Sequence, residues 1–176
     1  MNRKLAIFLG FFVIAAVLIT MGYGLFFASD PNEIPSAQIG KVAKQFAATT
    51  FEGEKISLQQ FRGRPVILNF WASWCISCRH EARIVEAAHQ KFTPLGAVFI
   101  GIAINDTREA SLGFIRRYGK TYLLAPDDLT GTISLDYGVT AVPETFLIDK
   151  NGMISNKVLG AISKKTITDF LEQQLK

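Results

Sequence analysis

The sequence predicts an α/β domain, a central sheet with parallel and antiparallel parts flanked by helices, preceded by a β-hairpin and, before that, one long apolar helix. An apolar run, Val66 to Phe70, reads as a buried strand, and Ala82, Val85, Ala88 and Phe92 follow it at helical spacing. A second apolar run, Ala97 to Ile104, is again followed by a helical pattern. Near the C-terminus, Thr145 to Ile148 and Met153 to Leu159 flank the turn signal Asp149-Lys150-Asn151-Gly152, which reads as a hairpin. Strand–helix–strand–helix followed by a hairpin and a closing helix gives a mixed sheet.

The 176 residues are about one domain's worth plus extras. The net charge is +4, with Lys and Arg scattered among the acids and no basic stripe with interleaved aromatics. A nucleic-acid partner is therefore not expected. Leu5 to Phe27 carries no charge, and at about 23 residues it is long enough to span a bilayer. Arg3 and Lys4 precede it, Asp30 and Glu33 follow, and no basic residue appears before Lys41. This asymmetry predicts a single-pass helix in the inner membrane, with the N-terminus cytoplasmic and the rest exported. A cleaved signal peptide competes. Its apolar region is usually about 7–15 residues, shorter than this one, and Phe26 spoils a cleavage site ending at Ala28. A buried core helix is disfavoured because the run is apolar on every face. The expected organisation is an anchor over 1–28, a linker over 29–40 with Pro31 and Pro35, and one globular domain over 41–176.

Within that domain, Phe46-Ala47 and Phe51 to Leu58 predict a short hairpin turning at Glu52-Gly53-Glu54. Phe61 to Pro65 is a loop into the first apolar strand. The helix that opens at Cys75 is stopped by Pro94 and Gly96 near Phe92. Asn105-Asp106-Thr107 starts the next helix, which carries Ala110, Phe114, Ile115 and Tyr118 and closes at Gly119. Tyr122 to Ala125 is a short strand, Thr132 to Tyr137 a short helix ending at Gly138, and Ser163 begins a final helix with Ile167, Phe170, Leu171 and Leu175 inward.

Both cysteines of the chain, Cys75 and Cys78, fall at the junction between the first apolar strand and its helix. A helix N-terminus favours negative charge, so a thiolate is stabilised at Cys75, and the thiolate is the nucleophile. Cys78, one turn on, can close back on it as a disulfide. A zinc site normally needs four ligands, and no second cysteine pair accompanies His80 and His89. An inert structural pair is the other plain reading, which the C-x-x-C spacing at a helix start makes the weaker one. No metal or organic cofactor is indicated.

The stretches Leu68-Asn69-Phe70-Trp71-Ala72-Ser73-Trp74-Cys75, Cys78-Arg79 with Glu81, and Gly138-Val139 leading to Pro143-Glu144-Thr145-Phe146-Leu147-Ile148-Asp149 resemble the thioredoxin-like family. More narrowly, they resemble its membrane-anchored, extracytoplasmic thiol:disulfide oxidoreductases of the TlpA, ResA and CcmG/DsbE group. The resemblance implies a thioredoxin-like fold and a reductase of disulfides outside the cytoplasm. Its substrates would be cysteine pairs of apocytochrome c, and a membrane thiol carrier would supply electrons. It implies that Cys75 attacks the substrate disulfide, that Cys78 resolves the mixed disulfide, and that Pro143 is a cis proline facing the pair. The Val142 backbone would then be free to pair with an extended substrate. Glu81 is similar to an acid that tunes the thiols, against the plain reading of a solvated first-turn glutamate. Glu144 would be an acid beside the site, against a surface residue. Trp74 would cover the reactive sulfur, Arg79 reads as a solvated side chain, and His80 and His89 carry no assignment.

Two positions depart from the family's habits. Asn69 stands where cytosolic thioredoxins often have an acid, so acid–base help for Cys78 must come from elsewhere, Glu81 being the candidate. Ser77 stands where proline usually precedes the second cysteine, which bears on redox poise and the direction of electron flow. A general disulfide oxidant or isomerase therefore stays open. A thiol peroxidase of the peroxiredoxin branch shares the fold but expects proline and threonine or serine where Leu68 and Ala72 stand. A non-enzymatic binding module with a static disulfide is the remaining reading. Replacing both cysteines by serine separates it from an enzyme.

Overall fold

The computed structural model describes residues 3–27, 38–127 and 130–176. The chain divides into two units, 1–34 and 35–176. In the first, α1 (Arg3–Phe27) is one helix of 25 residues, whose side chains are described for 8–23. Thr20 sits within it without leaving a donor open, its hydroxyl bonding back to the Ala16 and Val17 carbonyls. Among the described residues, no helix is long and apolar enough to cross a membrane, so the structure does not confirm the expected anchor. The expected linker lies mostly outside the described residues, as do Asp30, Glu33 and the candidate cleavage position at Ala28.

In the second unit, β1 (Ala47–Thr49) and β2 (Lys55–Ser57) pair antiparallel as the hairpin before the main sheet. The turn between them is closed by Thr50 N–H to the Glu54 carbonyl, and Gly53 takes a positive φ of 92°. The chain continues through β3 (Val66–Trp71), α2 (Ile76–Phe92), β4 (Val98–Ala103), α3 (Arg108–Tyr118), β5 (Leu123–Pro126), α4 (Thr132–Asp136), β6 (Glu144–Ile148), β7 (Ile154–Leu159) and α5 (Lys164–Gln174). The five-stranded sheet runs in the order β5-β4-β3-β6-β7. β3, β4 and β5 are parallel, and β6 and β7 are antiparallel to their neighbours.

β3 is central and buried along its whole length, as expected of a strand covered on both faces. Its two-residue alternation divides the core. Ile67 and Trp71 face a cluster with Ala82, Val85 and Phe92 of α2, Phe114 of α3 and Leu171 of α5. Val66, Leu68 and Phe70 face a second cluster with Ile100, Ile133, Tyr137 and Phe146. Asn69 falls on the α2 side by the same alternation, which matters for the site.

Several boundaries moved. β3 runs one residue further than expected, because Trp71 pairs with Ala103. β5 starts at Leu123, since Tyr122 precedes its first ladder pair with β4. β6 begins at Glu144, which pairs with Phe70. On α3, Ala110 is exposed and Ser111 takes the buried position instead. Its hydroxyl is satisfied by Asp106 Oδ2 at 2.9 Å, so a polar residue sits on the inward stripe in place of the expected Ala110.

Gly101 lies in mid-strand on β4, where glycine marks a close approach. A Cβ there would meet Leu124 Cδ2 at 2.6 Å and both Trp71 Nε1 and Tyr122 Cε2 at 3.0 Å. Gly101→Ala is expected to lower stability by about 1–3 kcal/mol through overpacking, read as a shift of the urea midpoint at unchanged m-value.

Candidate active site

The site forms where β3 delivers the chain to the start of α2. Cys75 is the N-cap residue of α2, and its Sγ accepts the Cys78 N–H at 3.0 Å. Sulfur thus occupies the place where a Ser or Asp oxygen usually caps, one of the unpaired N–H groups of the first turn pointing at it. Cys75 and Cys78 form a disulfide with Cα atoms 5.3 Å apart. Cys75 is 5% exposed and Cys78 1%, so the first sulfur is the more accessible.

The loop ahead of the pair is tied down from α3's leading edge. Asp106 accepts the Ser73 N–H and the Ser73 hydroxyl, each at 2.8 Å. Thr107 rather than Asp106 caps α3, by accepting the Ala110 N–H. The Trp74 indole N–H is donated to the Asn105 carbonyl at 3.0 Å, and the side chain is 56% exposed. Trp74 is therefore fixed at the surface next to Cys75 in sequence, not packed in the core. Ile76, Ser77, Arg79 and His80 are exposed as well.

Opposite the pair, Val142–Pro143 is a cis peptide bond, and the Val142 carbonyl oxygen lies 3.5 Å from Cys75 Sγ. Val142 precedes β6, which opens at Glu144. Of the two readings of Glu144, an acid beside the site or a surface residue, the structure overturns the second, because its side chain is 0% exposed. Oε1 accepts from the Thr140 N–H at 2.9 Å, the Thr140 hydroxyl at 2.8 Å and the Ala141 N–H at 3.2 Å. Oε2 pairs with Lys157 Nζ at 2.8 Å. The carboxylate thus braces the two residues that lead into Val142.

The solvated reading of Glu81 fails in the same way. The residue is 1% exposed, one turn beyond Cys78 on the buried face of α2. Asn69 Nδ2 donates to Oε1 at 2.8 Å, and the Ile162 N–H donates to Oε2 at 2.8 Å. Asn69 also donates to Thr145 Oγ1 at 3.0 Å, joining β3, α2 and β6. Burial pushes the Glu81 carboxyl above its ordinary value, opposed by the bonds from Ile162 and Asn69 and by the charge of Lys120.

Sequence reasoning passed over three groups below this pair. Lys120 and Glu86 are buried, and so is Tyr122. Glu86 accepts from the Thr121 N–H at 2.9 Å and the Thr121 hydroxyl at 2.6 Å. His89 is half-buried and stacks edge-on against Phe99, with Nδ1 2.8 Å from the Thr93 hydroxyl. Burial lowers its pKa. The one sequence signal for this region was Gly101, the gap in an otherwise bulky strand. Among the described residues, no group of three or more His, Cys, Asp and Glu could hold a metal.

Comparison with known proteins agrees with this geometry. The model of the AhpC/TSA family matches residues 39–157. The thiol:disulfide interchange protein DsbE of Pseudomonas aeruginosa is 36% identical over 162 residues, covering 89% of this chain and 84% of that protein. The thiol-disulfide oxidoreductase ResA of Bacillus thuringiensis subsp. konkukian is 33% identical over 158 residues, covering 90% and 88%. Among solved structures, a candidate thiol:disulfide interchange protein DsbE from Chlorobium tepidum superposes with a TM-score of 0.73 at 26% identity, covering 80% of this chain and all of that one. With the matched region spanning the cysteine pair, the cis proline and the sheet between them, the chain belongs to the AhpC/TSA family of thioredoxin-like proteins, in which it is a thiol:disulfide oxidoreductase.

Proposed function

We propose that the protein is a membrane-tethered reductase of protein disulfides outside the cytoplasm, acting on cysteine pairs of apocytochrome c and re-reduced by a membrane thiol carrier. The observation that carries the chemistry is the asymmetry of the pair. Cys75 receives an N–H at the helix start, while the deeper Cys78 lies one turn from a buried carboxylate. In the reduced protein, the Cys75 thiolate attacks one sulfur of the substrate disulfide, and the other substrate sulfur leaves as thiolate. Glu81 then takes the proton of the Cys78 thiol, and the Cys78 thiolate attacks Cys75 Sγ of the mixed disulfide. The second substrate sulfur leaves, so the substrate gains two electrons and the Cys75–Cys78 pair becomes the disulfide. Pro143 and the Val142 backbone face the arriving chain, Glu144 holds their approach segment, and Trp74 offers an exposed aromatic surface beside the nucleophile.

The tether rests on the charge-free run from Leu5 to Phe27 with bases before it and acids after it. The cytochrome assignment rests on the resemblance to the DsbE and ResA group. Leu68 and Ala72, where a peroxidase of this fold would place proline and threonine or serine, are both fully buried apolar residues. The test is reduction of a peptide carrying an oxidised C-x-x-C-H segment, the haem-attachment motif. It should be reduced faster than a disulfide peptide of scrambled sequence, and equal rates would remove the cytochrome assignment. Alkaline phosphatase fused after Lys176 should be active, and an inactive fusion would remove the exported orientation.

Glu81→Gln is expected to slow resolution of the mixed disulfide by about 10²-fold. The sign of its pH effect follows from the raised pKa: in the unaltered protein the step accelerates as pH rises through the Glu81 titration, and the variant loses that limb. Stopped-flow decay of a preformed mixed disulfide, measured across pH, reads both.

A further inference from the structure

We propose that Lys120 is a positioning residue for the exchange reaction, its ammonium held inside the core over the Trp71 ring so that its field keeps Glu81 ionised to accept the Cys78 proton. The inference rests on the reading of Glu81 as the base for Cys78.

Lys120 is 6% exposed. Its Nζ lies 3.8 Å from the centre of the Trp71 ring, 5.1 Å from that of Tyr122 and 5.4 Å from that of Phe114. Among the described residues it has neither an ion pair within 4 Å nor a hydrogen bond through Nζ. Among the described residues, Trp71 Nε1 and the Tyr122 hydroxyl beside it are buried without partners. A cation in this setting is costly, yet the backbone is built to put it there. Gly119 ends α3 with a φ of 64°, and the Lys120 N–H returns to the Ile115 carbonyl at 3.1 Å. Glu86 pins the following residue by two bonds to Thr121. Gly101 leaves open the space between the Trp71 and Tyr122 rings that any side chain would enter.

The charge is not consumed by local bonding. Glu86 is engaged by Thr121 and Gln90, and Glu81 by Asn69 and Ile162. What remains for Lys120 is its field in a poorly solvated core, where attraction between unlike charges acts over longer distances than in water. The titratable groups around it are Glu81, Glu86 and His89 of α2, and Tyr122 just before β5; β3, β4 and α3 present Trp71, Phe99 and Phe114. Of the two carboxylates, Glu81 is the one a single turn from a cysteine. Burial lowers the Lys120 amine to about 7, with Glu81 and Glu86 opposing that fall, and Lys120 in turn acts to lower Glu81. The lysine therefore changes charge in the neutral range, and the two titrations are coupled.

Removing the positive charge leaves burial of Glu81 less opposed, so its protonation midpoint moves up. In Lys120→Met, the pH limb of mixed-disulfide resolution should shift to higher pH by about one unit, with the high-pH plateau within twofold of the unaltered protein. A purely structural lysine would lower the plateau or the stability and leave the midpoint in place, and that result overturns the inference. In the unaltered full-length protein, the Glu81 carboxyl carbon followed by NMR should show a second inflection that coincides with titration of the Lys120 amine. A single inflection overturns the inference without any variant having to fold. Glu81→Gln separates the layers. If it keeps the pH limb, the reading of Glu81 itself fails; if it loses the limb while Lys120→Met leaves the midpoint unmoved, the role of Lys120 alone fails.

Discussion

Cys75→Ser should reduce disulfide exchange to the uncatalysed background, while Cys78→Ser should still attack substrate and then stall as a covalent mixed disulfide. The difference follows from position. Cys75 is the N-cap, touched by the Cys78 N–H and the more exposed of the pair. The helix start stabilises the thiolate of the residue at its cap and much less that of a residue one turn inside. Cys78 is covered by the core, so its access is to Cys75 and not to a protein substrate. Mass spectrometry after mixing each variant with a disulfide peptide should find the adduct on Cys78→Ser and none on Cys75→Ser. The reverse pattern would exchange the two roles. An oxidised binding module would instead retain its partner after both cysteines were replaced.

Lys157→Met should cost about 3–5 kcal/mol of stability, a large fraction of the roughly 5–15 kcal/mol available to a domain. Lys157 Nζ is the partner of Glu144 Oε2, on a side chain with no exposed surface. It also bonds the Gly138 carbonyl at 3.2 Å and lies 5.0 Å from the centre of the Phe146 ring. Removing it strands a carboxylate in the core whose other oxygen is already committed to Thr140 and Ala141. The double variant with Glu144→Gln should recover part of the loss, because the buried charge goes with its partner. Urea denaturation of the single and double variants measures both. Equal stability of the double and the Lys157 variant would show that the ion pair is not the source of the cost.

The thiol site was legible because its signals are local. A C-x-x-C pair at the end of an apolar run places one sulfur at a helix start whatever the rest of the fold does. The hairpin turn at Glu52-Gly53-Glu54 and the α3 stop at Gly119 were legible for the same reason, as they depend on positive-φ glycines. The buried acids were not. Glu81 is satisfied by Asn69 from β3 and by Ile162 from the loop before α5, and Glu144 by Lys157 across the β6–β7 hairpin. Those partners meet only when the sheet is assembled, so spacing favours the default of a solvated acid. Lys120 is harder still, since a lysine after a helix-ending glycine reads as surface. Its place depends on a glycine nineteen positions earlier, on a strand two elements away.

The most direct test of the account is the reduction potential of the Cys75–Cys78 couple, measured by equilibration with glutathione and dithiothreitol. A reductase fed by a membrane thiol carrier predicts a value nearer that of thioredoxin, about −270 mV, than that of the oxidant DsbA, about −120 mV. A value at the oxidising end would mean that Ile76-Ser77 between the cysteines makes this scaffold a disulfide donor or isomerase, and the proposed reduction of apocytochrome cysteines would be contradicted.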